Sequence, residues 1–487
     1  MMMKNGLKIA VFLSLACLIN GCARESAIEP GSGDHLALTQ QDQTYLNALN
    51  NADLPQELSV ETAVQRALNK NLDAYVSSLE TLIASNNTTL ERLAVLPNIT
   101  ASGNFIERSD EAASSSESII TRTQSLEPST STDQEKRTAS LSFQWNLLDS
   151  AIALLEGKIA DNNEVIAIER LRKIKHNIER DVTNAYWKAY AYQETREDLD
   201  TAITSLDKTI KNIDKAQSQK LLSIDEIAQR ASQLSEKDQS LSALQEEIRL
   251  ADIELKSLAA LPLNTHIHLS GKPSELEKTH AALLTENVDA LVAQALQDRP
   301  EIRENIANRN IAGENVKREI LGSFPALGVV YGLNYDSNSF LSEQNWEDLN
   351  VSLVQSITSF LTLPKRYKAA RDRKQLVEAQ RLALTAAIIA QIHVAKLRVN
   401  VTERHYRTAD LLYKNASRKA LLTSSKAHLS AASAYENTSA KADLLTQKIQ
   451  KDIAYADLQK AYADLLSSMG KSLYPTITGK EVIDEAS

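Results

Sequence analysis

Four segments of the chain alternate apolar and polar side chains with a period of two, as a β-strand with two different faces does. In "TASLSFQWN", Ala139, Leu141, Phe143 and Trp145 fall on one face, and hydroxyl and amide side chains fall on the other. "ITASGNF" and "ALGVVYGLNY" repeat this alternation, and "VSLVQSITS" follows it less regularly. The pattern predicts strands at about 98–106, 138–147, 326–335 and 350–359.

The longest stretches carry apolar residues three and four positions apart, which is typical of helices that pack along a seam. From Ala151 to Gln219 there is no Pro, and Leu171, Ile174 and Ile178 begin such a seam. At 1.5 Å per residue, a helix of about 68 residues is roughly 100 Å long. Polar breaks then reverse the chain into return helices. We therefore predict helical hairpins at about 151–260 and 364–469, with breaks at 218–226 and 416–423.

The two halves of the chain repeat one order of elements. Each half begins with a short amphipathic helix around an Ala-Leu pair, followed by a helix of about 23 residues, a Pro and an alternating segment. The shorter helices, at 73–95 and 300–321, have lengths that suit stacking end to end with a return helix beside one long helix. The pattern predicts two internal structural repeats, at 57–285 and 286–472.

Four strands are too few to close a barrel, because about eight are the practical minimum. An open strand edge in lipid leaves backbone groups unpaired, at a cost of several kcal/mol each. A membrane sheet would therefore be shared between chains, with eight strands from two copies or twelve from three. The small polar side chains of one face favour an open lumen and three copies. The alternative is an ordinary antiparallel sheet on a globular core.

Aromatic residues near the ends of the alternating segments indicate where a membrane surface would lie, because Trp and Tyr gather at membrane–water interfaces. The expected interface aromatics are Phe105, Trp145, Tyr335 and Trp346.

Residues 1–21 have the layout of a secretory signal peptide, with Lys4 and Lys8 ahead of an apolar run. That run, of roughly 11 residues, is shorter than the roughly 20 that span a bilayer. Cys22 follows "ING", which resembles a bacterial lipobox and predicts lipidation of Cys22. The alternative is ordinary cleavage that leaves a free thiol. Further along the chain we find no stretch of about 20 apolar residues, so we expect no membrane-spanning helix.

The composition narrows the classes of function. The 487 residues carry a formal net charge of −9, and removing Lys4 and Lys8 with the signal changes it to −11 (−9 − 2), which speaks against nucleic acid as a partner. His266 and His268 lie close together, but no carboxylate or Cys cluster joins them, so a solvated loop is favoured over a metal site. No P-loop or nucleophile motif occurs. We predict neither an enzyme nor a bound cofactor or metal.

Over residues 57–472 the chain resembles the outer-membrane efflux (TolC) family. The resemblance rests on "LSVETAVQRALNKNLD" and "LVAQALQDRPEIRE" before the shorter helices, on "LPNITASGNF" and "FPALGVVYGLNY" at the strands, and on "LSFQWNLLDSA" before the first long helix. It implies a mainly α protein with a transmembrane β part. Three chains would form a long coiled-coil α-helical barrel and complete a 12-stranded β-barrel, with four strands from each chain.

The resemblance also implies a location and partners. The homotrimer would lie in the outer membrane of a Gram-negative bacterium, extend into the periplasm, and contact outer-membrane lipid. It would meet a periplasmic adaptor protein and an inner-membrane transporter, either proton-driven or ABC, as a passive duct for small molecules such as drugs or metals. The alternatives are a channel for type I protein secretion and a periplasmic coiled-coil lipoprotein scaffold without a pore. A lipidated segment at 22–56 resembles the lipoprotein branch, and a flexible tail is expected at 473–487.

In such channels the hairpin turns close the periplasmic end, and acidic residues form rings there. Asp225 and Glu226 lie at the first turn and are candidate gate residues. Ser223 and Glu226 also have the spacing of a capping box, which is the alternative interpretation.

The second turn departs from the acidic pattern. Leu421 and Ser424 occupy the usual acidic positions, and the nearby Arg418 and Lys419 are basic. We include Arg418 and Lys419 among the candidate gate residues, and their charge puts cation selectivity in doubt.

Residues 109–137 are rich in Ser, Thr and Glu and show no periodicity. They lie between the first two strands, so we expect them on the extracellular side. Solvated disorder is favoured over a lid or a receptor function.

Overall fold

The computed structural model describes residues 33–51, 54–125, 127–218, 223–265, 267–271, 283, 285–425 and 431–474. The helices are α1 (Gly33–Asn51), α2 (Val60–Lys70), α3 (Leu72–Leu93), α4 (Leu147–Ser218), α5 (Ile224–Leu258), α6 (Val288–Asp298), α7 (Pro300–Leu321), α8 (Ile357–Ser424) and α9 (Ala431–Ser468). The strands are β1 (Glu57–Leu58), β2 (Asn98–Glu107), β3 (Ala113–Ser114), β4 (Ser129–Thr130), β5 (Glu135–Asn146), β6 (His268–Leu269), β7 (Ala326–Asp336) and β8 (Asn345–Val354).

Local capping explains the breaks between the short helices. The side chain of Asn71 accepts hydrogen bonds from the backbone N–H groups of Asp73 and Ala74, while its own N–H donates to Ala67. One extended residue therefore ends α2 and starts α3. Arg299 is also an extended residue between two helices, α6 and α7. Its N–H donates to Ala295, its side chain makes no cap hydrogen bond, and Pro300 occupies the first helical position of α7.

The helices form a rod of antiparallel neighbours. The 72-residue α4 packs against α3 and α5 on one side and against α7 and α9 on the other. The 68-residue α8 packs against α7 and α9. On each side of α4, two shorter helices together approach its length, and α7 and α9 do the same beside α8, as the sequence predicts.

The main core lies near the middle of the rod, where short elements of both halves meet. Tyr186 is fully buried, and its hydroxyl lies 2.8 Å from the carbonyl oxygen of Leu58 and 2.6 Å from that of Ser270. Trp187 packs edge-on against Tyr186 and Tyr455. These contacts attach the small parallel β1–β6 pair to the rod.

At one end of the rod, β2, β5, β7 and β8 form an antiparallel sheet in the order β2-β5-β7-β8. Strands β2 and β7 match the predicted segments closely. The expectation for the fourth strand is wrong: β8 is Asn345–Val354, not 350–359. Ser356 instead caps α8, by accepting a hydrogen bond from the N–H of Ser359, and helix replaces strand from Ile357.

Two helix ends also differ from expectation. Helix α8 begins before Pro364 and holds it in its interior, since one Pro removes only one backbone donor from a long helix. The predicted break at 416–423 is wrong, because α8 continues to Ser424. That stretch lacks Gly and Pro, and half of its residues are Ala or Leu, which favour a helix.

The expectation of disorder for residues 109–137 is wrong for the part described. Strands β3 and β4 pair there, and Glu117 bridges to Gln124. The side chain of Asp133 also accepts hydrogen bonds from the backbone and hydroxyl of Ser339, in the opposite loop. The two loops at this end of the sheet therefore support each other.

The structure revises both ends of the chain. Helix α1 lies within the predicted N-terminal segment 22–56, and Arg66 donates to the carbonyl of Asn50 near its end. The start of the predicted tail at 473 is packed: Tyr474 is buried, and the N–H of Leu473 donates to Glu179. The predicted signal peptide at 1–21, Cys22 and residues beyond 474 lie outside the described part.

Helix α8 contains an 18-residue window with a mean hydropathy of 1.5, which is apolar enough by length and composition to cross a membrane. The sequence expectation of no such stretch missed this window. In the fold, α8 runs beside α7 and α9 as part of the rod, and only 28% of this window is buried in the single chain.

Gly470 provides a test of the junction between the halves. Its φ of +73° is a left-handed conformation, and a Cβ there would lie 2.6 Å from the carbonyl oxygen of Asp298 and 2.7 Å from the backbone of Arg299. We expect Gly470→Ala to destabilise the protein by more than about 2 kcal/mol, as left-handed strain adds to backbone overlap. The measurement is the midpoint of thermal unfolding in detergent.

Gly313→Ala is the matched control, because Gly313 lies in α7 with open space around its Cα. Alanine there should stabilise the helix by about 1 kcal/mol. Equal midpoints for the two variants would contradict the proposed role of Gly470.

Candidate functional site

The four-stranded sheet has two chemically different faces. On one face, Leu141 of β5 pairs with Leu333 of β7, and Phe143 pairs with Tyr331. On the other face, hydroxyl groups form a ladder: the Oγ atoms of Ser140 and Ser102 lie 2.7 Å apart, and Ser142 Oγ lies 2.7 Å from Thr100 Oγ1. The predicted alternation is therefore confirmed for β2, β5 and β7.

Both sides of this sheet are open in the single chain. Leu349, Leu353 and Ile99 are more than half exposed, although they are large apolar side chains. Helix α4, which follows β5 directly, contacts β5 and β7, but it leaves these large apolar side chains exposed, so the sheet does not have the arrangement of a sheet on a globular core. Strands β2 and β8 each pair with one neighbour only, which leaves one edge of each unpaired within the described chain.

Two acidic residues of β8 are paired with β7, and the sequence reasoning did not identify them. Asn334 Nδ2 donates to Asp348 at 2.9 Å on the polar face. The Tyr331 hydroxyl donates to Glu347 Oε2 at 2.7 Å on the apolar face. The misplaced boundary of β8 hid their register, and the alternation of the correct segment could have revealed it.

Three of the four predicted interface aromatics share the apolar face. Phe105 and Tyr335 lie at the loop end of the sheet, where the Arg137 guanidinium stands 5.8 Å from the Phe105 ring centroid. Trp145 lies at the helical end, and its Nε1 donates to Ser150. These side chains therefore occupy two levels.

Trp346 differs from this arrangement, and its role as an interface aromatic stays a prediction. It pairs with Asn334 in the register of β7 and β8, which puts it on the polar face. The earlier start of β8 is the cause, because Trp346 lies within the strand and not ahead of it.

At the opposite end of the rod, the first candidate gate residues lie on the first turn of α5. The Ser223 hydroxyl and N–H both donate to Glu226 Oε2, at 3.0 and 3.2 Å, in a complete capping box. These hydrogen bonds hold the pKa of the exposed Glu226 carboxyl below its usual value. Asp225 is exposed, with no hydrogen bond among the described residues. The capping interpretation therefore describes Glu226, and Asp225 remains available to a partner.

A polar cluster links three helices near this end, and we call it the tip network: Arg230, Gln233, Lys237, Lys419, Tyr435 and Asp443. The Tyr435 hydroxyl donates to Gln233 at 2.6 Å, and the Arg230 guanidinium stands 5.3 Å from the Tyr435 ring centroid. Asp443 of α9 accepts from Lys237 of α5 and, at 3.2 Å, from Lys419 of α8. Partial burial of the ring raises the pKa of Tyr435.

The placement of Arg418 and Lys419 at a hairpin turn is wrong, because both lie within α8, before its end at Ser424. Lys419 is bound by Asp443, whereas Arg418 is exposed. Sequence reasoning missed Asp443 and Lys237, since their contact joins residues 206 positions apart on different helices.

The described residues contain no group of three or more His, Cys, Asp and Glu side chains that could hold a metal ion. Of the two neighbouring histidines, His268 belongs to β6, and His266 lies outside the described residues.

Solved structures with the same architecture are outer-membrane channels. CmeC of Campylobacter jejuni matches with a TM-score of 0.64 at 12% identity, over 88% of this chain and 89% of that chain. VceC of Vibrio cholerae matches at 0.61 and 13% identity, over 85% and 96%. MtrE of Neisseria gonorrhoeae, in its open state, matches at 0.57 and 15% identity, over 85% and 91%. No protein-family model and no curated protein sequence matches the chain.

The chain therefore has the fold of the TolC-type outer-membrane efflux channels. The resemblance that the sequence indicates is confirmed at the level of the fold.

Asp443→Asn tests the tip network. Loss of the carboxylate charge weakens two partly buried ion pairs, so we expect local opening of the helix ends to become easier by about 1–2 kcal/mol. Trypsin cleavage after Arg418 and Lys419 should become roughly tenfold faster. The measurement is limited proteolysis of the purified protein followed by mass spectrometry.

Asp410→Asn is the control, since Asp410 pairs with Lys414 one turn away on the same helix. Such an exposed pair contributes roughly 0.3–0.5 kcal/mol, so cleavage should hardly change. Equal cleavage rates for both variants would mean that Asp443 does not hold the tip.

Proposed function

We propose that this chain is the outer-membrane channel of a tripartite efflux system, a passive trimeric duct that exports small molecules such as drugs or metals. The observation that carries the proposal is the sheet: one apolar face, one polar face and two open edges, at the end of a rod of helices. The fold of outer-membrane channels supports it. An inner-membrane transporter would supply the energy, and a periplasmic adaptor would join the two.

The sheet edges support an assembly of several copies. In lipid, the outer edges of β2 and β8 find hydrogen-bond partners only in another strand. The β2 edge of one copy can pair with the β8 edge of the next, and three copies then close twelve strands around a lumen. The hydroxyl ladder would line that lumen, and Leu141, Leu333 and Phe143 would face lipid.

The helices support the same assembly. Helix α8 exposes a row of large apolar side chains on its outer surface, and α3 exposes another. The residues in α8 are Leu376, Leu382, Val394, Leu397 and Leu411, and those in α3 are Tyr75, Leu79, Leu82 and Leu90. Because α3 and α8 are at opposite margins of the rod, these rows can pack against each other between neighbouring copies and close an α-helical barrel.

The candidate gate lies at the tip of this barrel. Asp225 and Arg418 are exposed there, while Glu226 and Lys419 are held by the cap and by Asp443. In a trimer each exposed residue occurs three times, so the tip would carry both signs of charge. The tip network would keep α5 and α9 together in the closed state.

Lipidation of Cys22 is proposed as a tether and sorting signal for the outer membrane. Its support is the sequence pattern alone, and the strands of the sheet would by themselves hold the trimer in the bilayer.

Assembly and conductance test the proposed channel. We expect the protein, purified in detergent, to have the mass of a trimer and to form discrete ion-conducting pores in planar bilayers. Asp443→Asn should raise the open probability, because it loosens the tip, and Asp410→Asn should leave it unchanged. A monomer that forms no pores would refute the channel and favour the coiled-coil scaffold.

Replacement of the lipidation site tests the tether. We expect Cys22→Ala, exported with an ordinary cleaved signal peptide, to yield inserted trimers with the conductance of the parent. The comparison is made by membrane fractionation and single-channel recording. Complete loss of inserted trimer would mean that the lipid is required for assembly.

A further inference from the structure

A groove of about 490 Å³ lies where α9 ends and α7 begins, between α4 and α8. Helix α4 contributes Lys173, His176 and Arg180, and Arg398 comes from α8. These α4 residues lie on the side of the helix away from Val182 and Tyr186, which pack into the main core. The groove therefore opens on the other surface of the rod and belongs neither to the sheet nor to the tip.

The groove has an excess of positive charge. Its lining includes four cations, Lys173, Arg180, Arg299 and Arg398, and two carboxylates, Glu301 and Asp464. A third carboxylate, Asp181, lies outside the lining and pairs with Arg180. With Asp181 counted, the four cations and three carboxylates leave a net charge of +1 (4 − 3).

The carboxylates hold the cations in place around the opening. Glu301 binds Arg299 Nε at 3.1 Å and Lys173 Nζ at 3.2 Å. Asp464 lies 3.7 Å from Arg180 Nε and 3.6 Å from Arg398 NH1. Arg299 is further held by Glu301 and by Gln391, and Arg180 binds Asp181 through Nε and NH2. Among the described residues, the N–H groups left over are those of Arg180 NH1, the second N–H of Arg299 NH1 and NH2, and most of the Arg398 guanidinium, and these can meet another anion.

His176 forms part of the wall and is 5% exposed. It has no hydrogen-bond partner among the described residues. Burial, together with the Arg172 guanidinium, lowers the pKa of His176 to about 4, so the ring is neutral at pH 7 and offers one N–H donor. The ring is part of the groove lining, so an occupant of the groove can accept its hydrogen bond.

We propose that this groove binds a small oxyanion, through a carboxylate or phosphate group held by Arg180, Arg299 and Arg398 and by the N–H of His176. The planar guanidinium of Arg398, whose nearest carboxylate oxygen is 3.6 Å away on Asp464, suits the paired oxygens of both anions, and Arg180 and Arg299 add single N–H groups. The volume lies within the range of small-molecule sites, so it admits a solute that carries such a group. The site makes anionic small molecules a substrate class of the duct, and only this last step rests on the proposed function.

Inorganic phosphate and succinate are the probes, with chloride as the reference anion. We expect the purified full-length protein in detergent at pH 7 to bind one of the two oxyanions per chain with a Kd of about 1 mM or lower, by titration calorimetry. Whichever oxyanion binds more tightly assigns the group. No saturable binding of either up to roughly 10 mM would overturn the proposal.

Arg398→Gln should weaken this binding roughly tenfold, the value of one charge-assisted hydrogen bond. Arg170→Gln is the matched control, because Arg170 is an exposed arginine of α4 that pairs with Glu304 and does not line the groove. Equal binding by both variants would overturn the site. The exposed ends of Lys173 and Arg398 allow a folded Lys173→Gln, Arg398→Gln double variant in addition.

A second measurement tests whether His176, in the wall of the groove, contacts the bound oxyanion. In NMR titrations of histidine-labelled protein, the midpoint of His176 should rise when the oxyanion is present, because a nearby negative charge favours the imidazolium. His176→Gln identifies the resonance. An unchanged midpoint under saturating oxyanion would exclude His176 from the site. If the protein forms conducting pores but binds no oxyanion, the anion site is refuted and the channel is not. If it binds oxyanions but forms no pores, the channel is refuted and the anion site is not.

Discussion

Backbone N–H and C=O groups along the outer edges of β2 and β8 have no strand partner in the described part of one chain. In water such an edge promotes aggregation. In lipid its backbone groups stay without hydrogen bonds, because no water is present to accept or donate them. The apolar face of the sheet is also unfavourable in water, since Leu349 and Leu353 are exposed in the single chain. Both defects are removed together when copies pair edge to edge around a common axis. The sheet is therefore the feature that most favours the proposed assembly of several copies.

The rod suits the same proposed assembly, because a ring of copies would need helices that fit side by side. Helices α4 and α8 are continuous, and their neighbours change partway along, from α3 and α7 to α5 and α9. Each change needs a place where one helix stops and another starts. Gly470, Asn71 and Arg299 provide such places through a left-handed turn and two extended caps. The main core at this level fixes the two stacks relative to each other.

The sequence predicted the architecture well because its signals are periodic and local. Alternation identified β2, β5 and β7, and the apolar seams identified both helical hairpins. One error occurred where a boundary depends on one hydrogen bond. The Ser356 cap starts α8 soon after β8 ends at Val354, so Trp346 lies within the strand and not ahead of it. The second hairpin turn was misplaced because residues 416–425 contain no Gly or Pro to mark where the helix ends. Contacts between distant residues, such as Lys237 with Asp443, leave no signal in a single sequence.

The distribution of charge along the rod bears on what a duct of this kind would admit. At the tip, the cap holds Glu226, and Asp443 holds Lys237 and Lys419. The exposed Asp225 and Arg418 have opposite signs, so this pair adds no net charge to the tip. In the groove, by contrast, cations outnumber carboxylates, and the buried, neutral His176 adds a donor without adding charge. Discrimination between anions and cations should therefore depend more on the groove at the helix junction than on the tip.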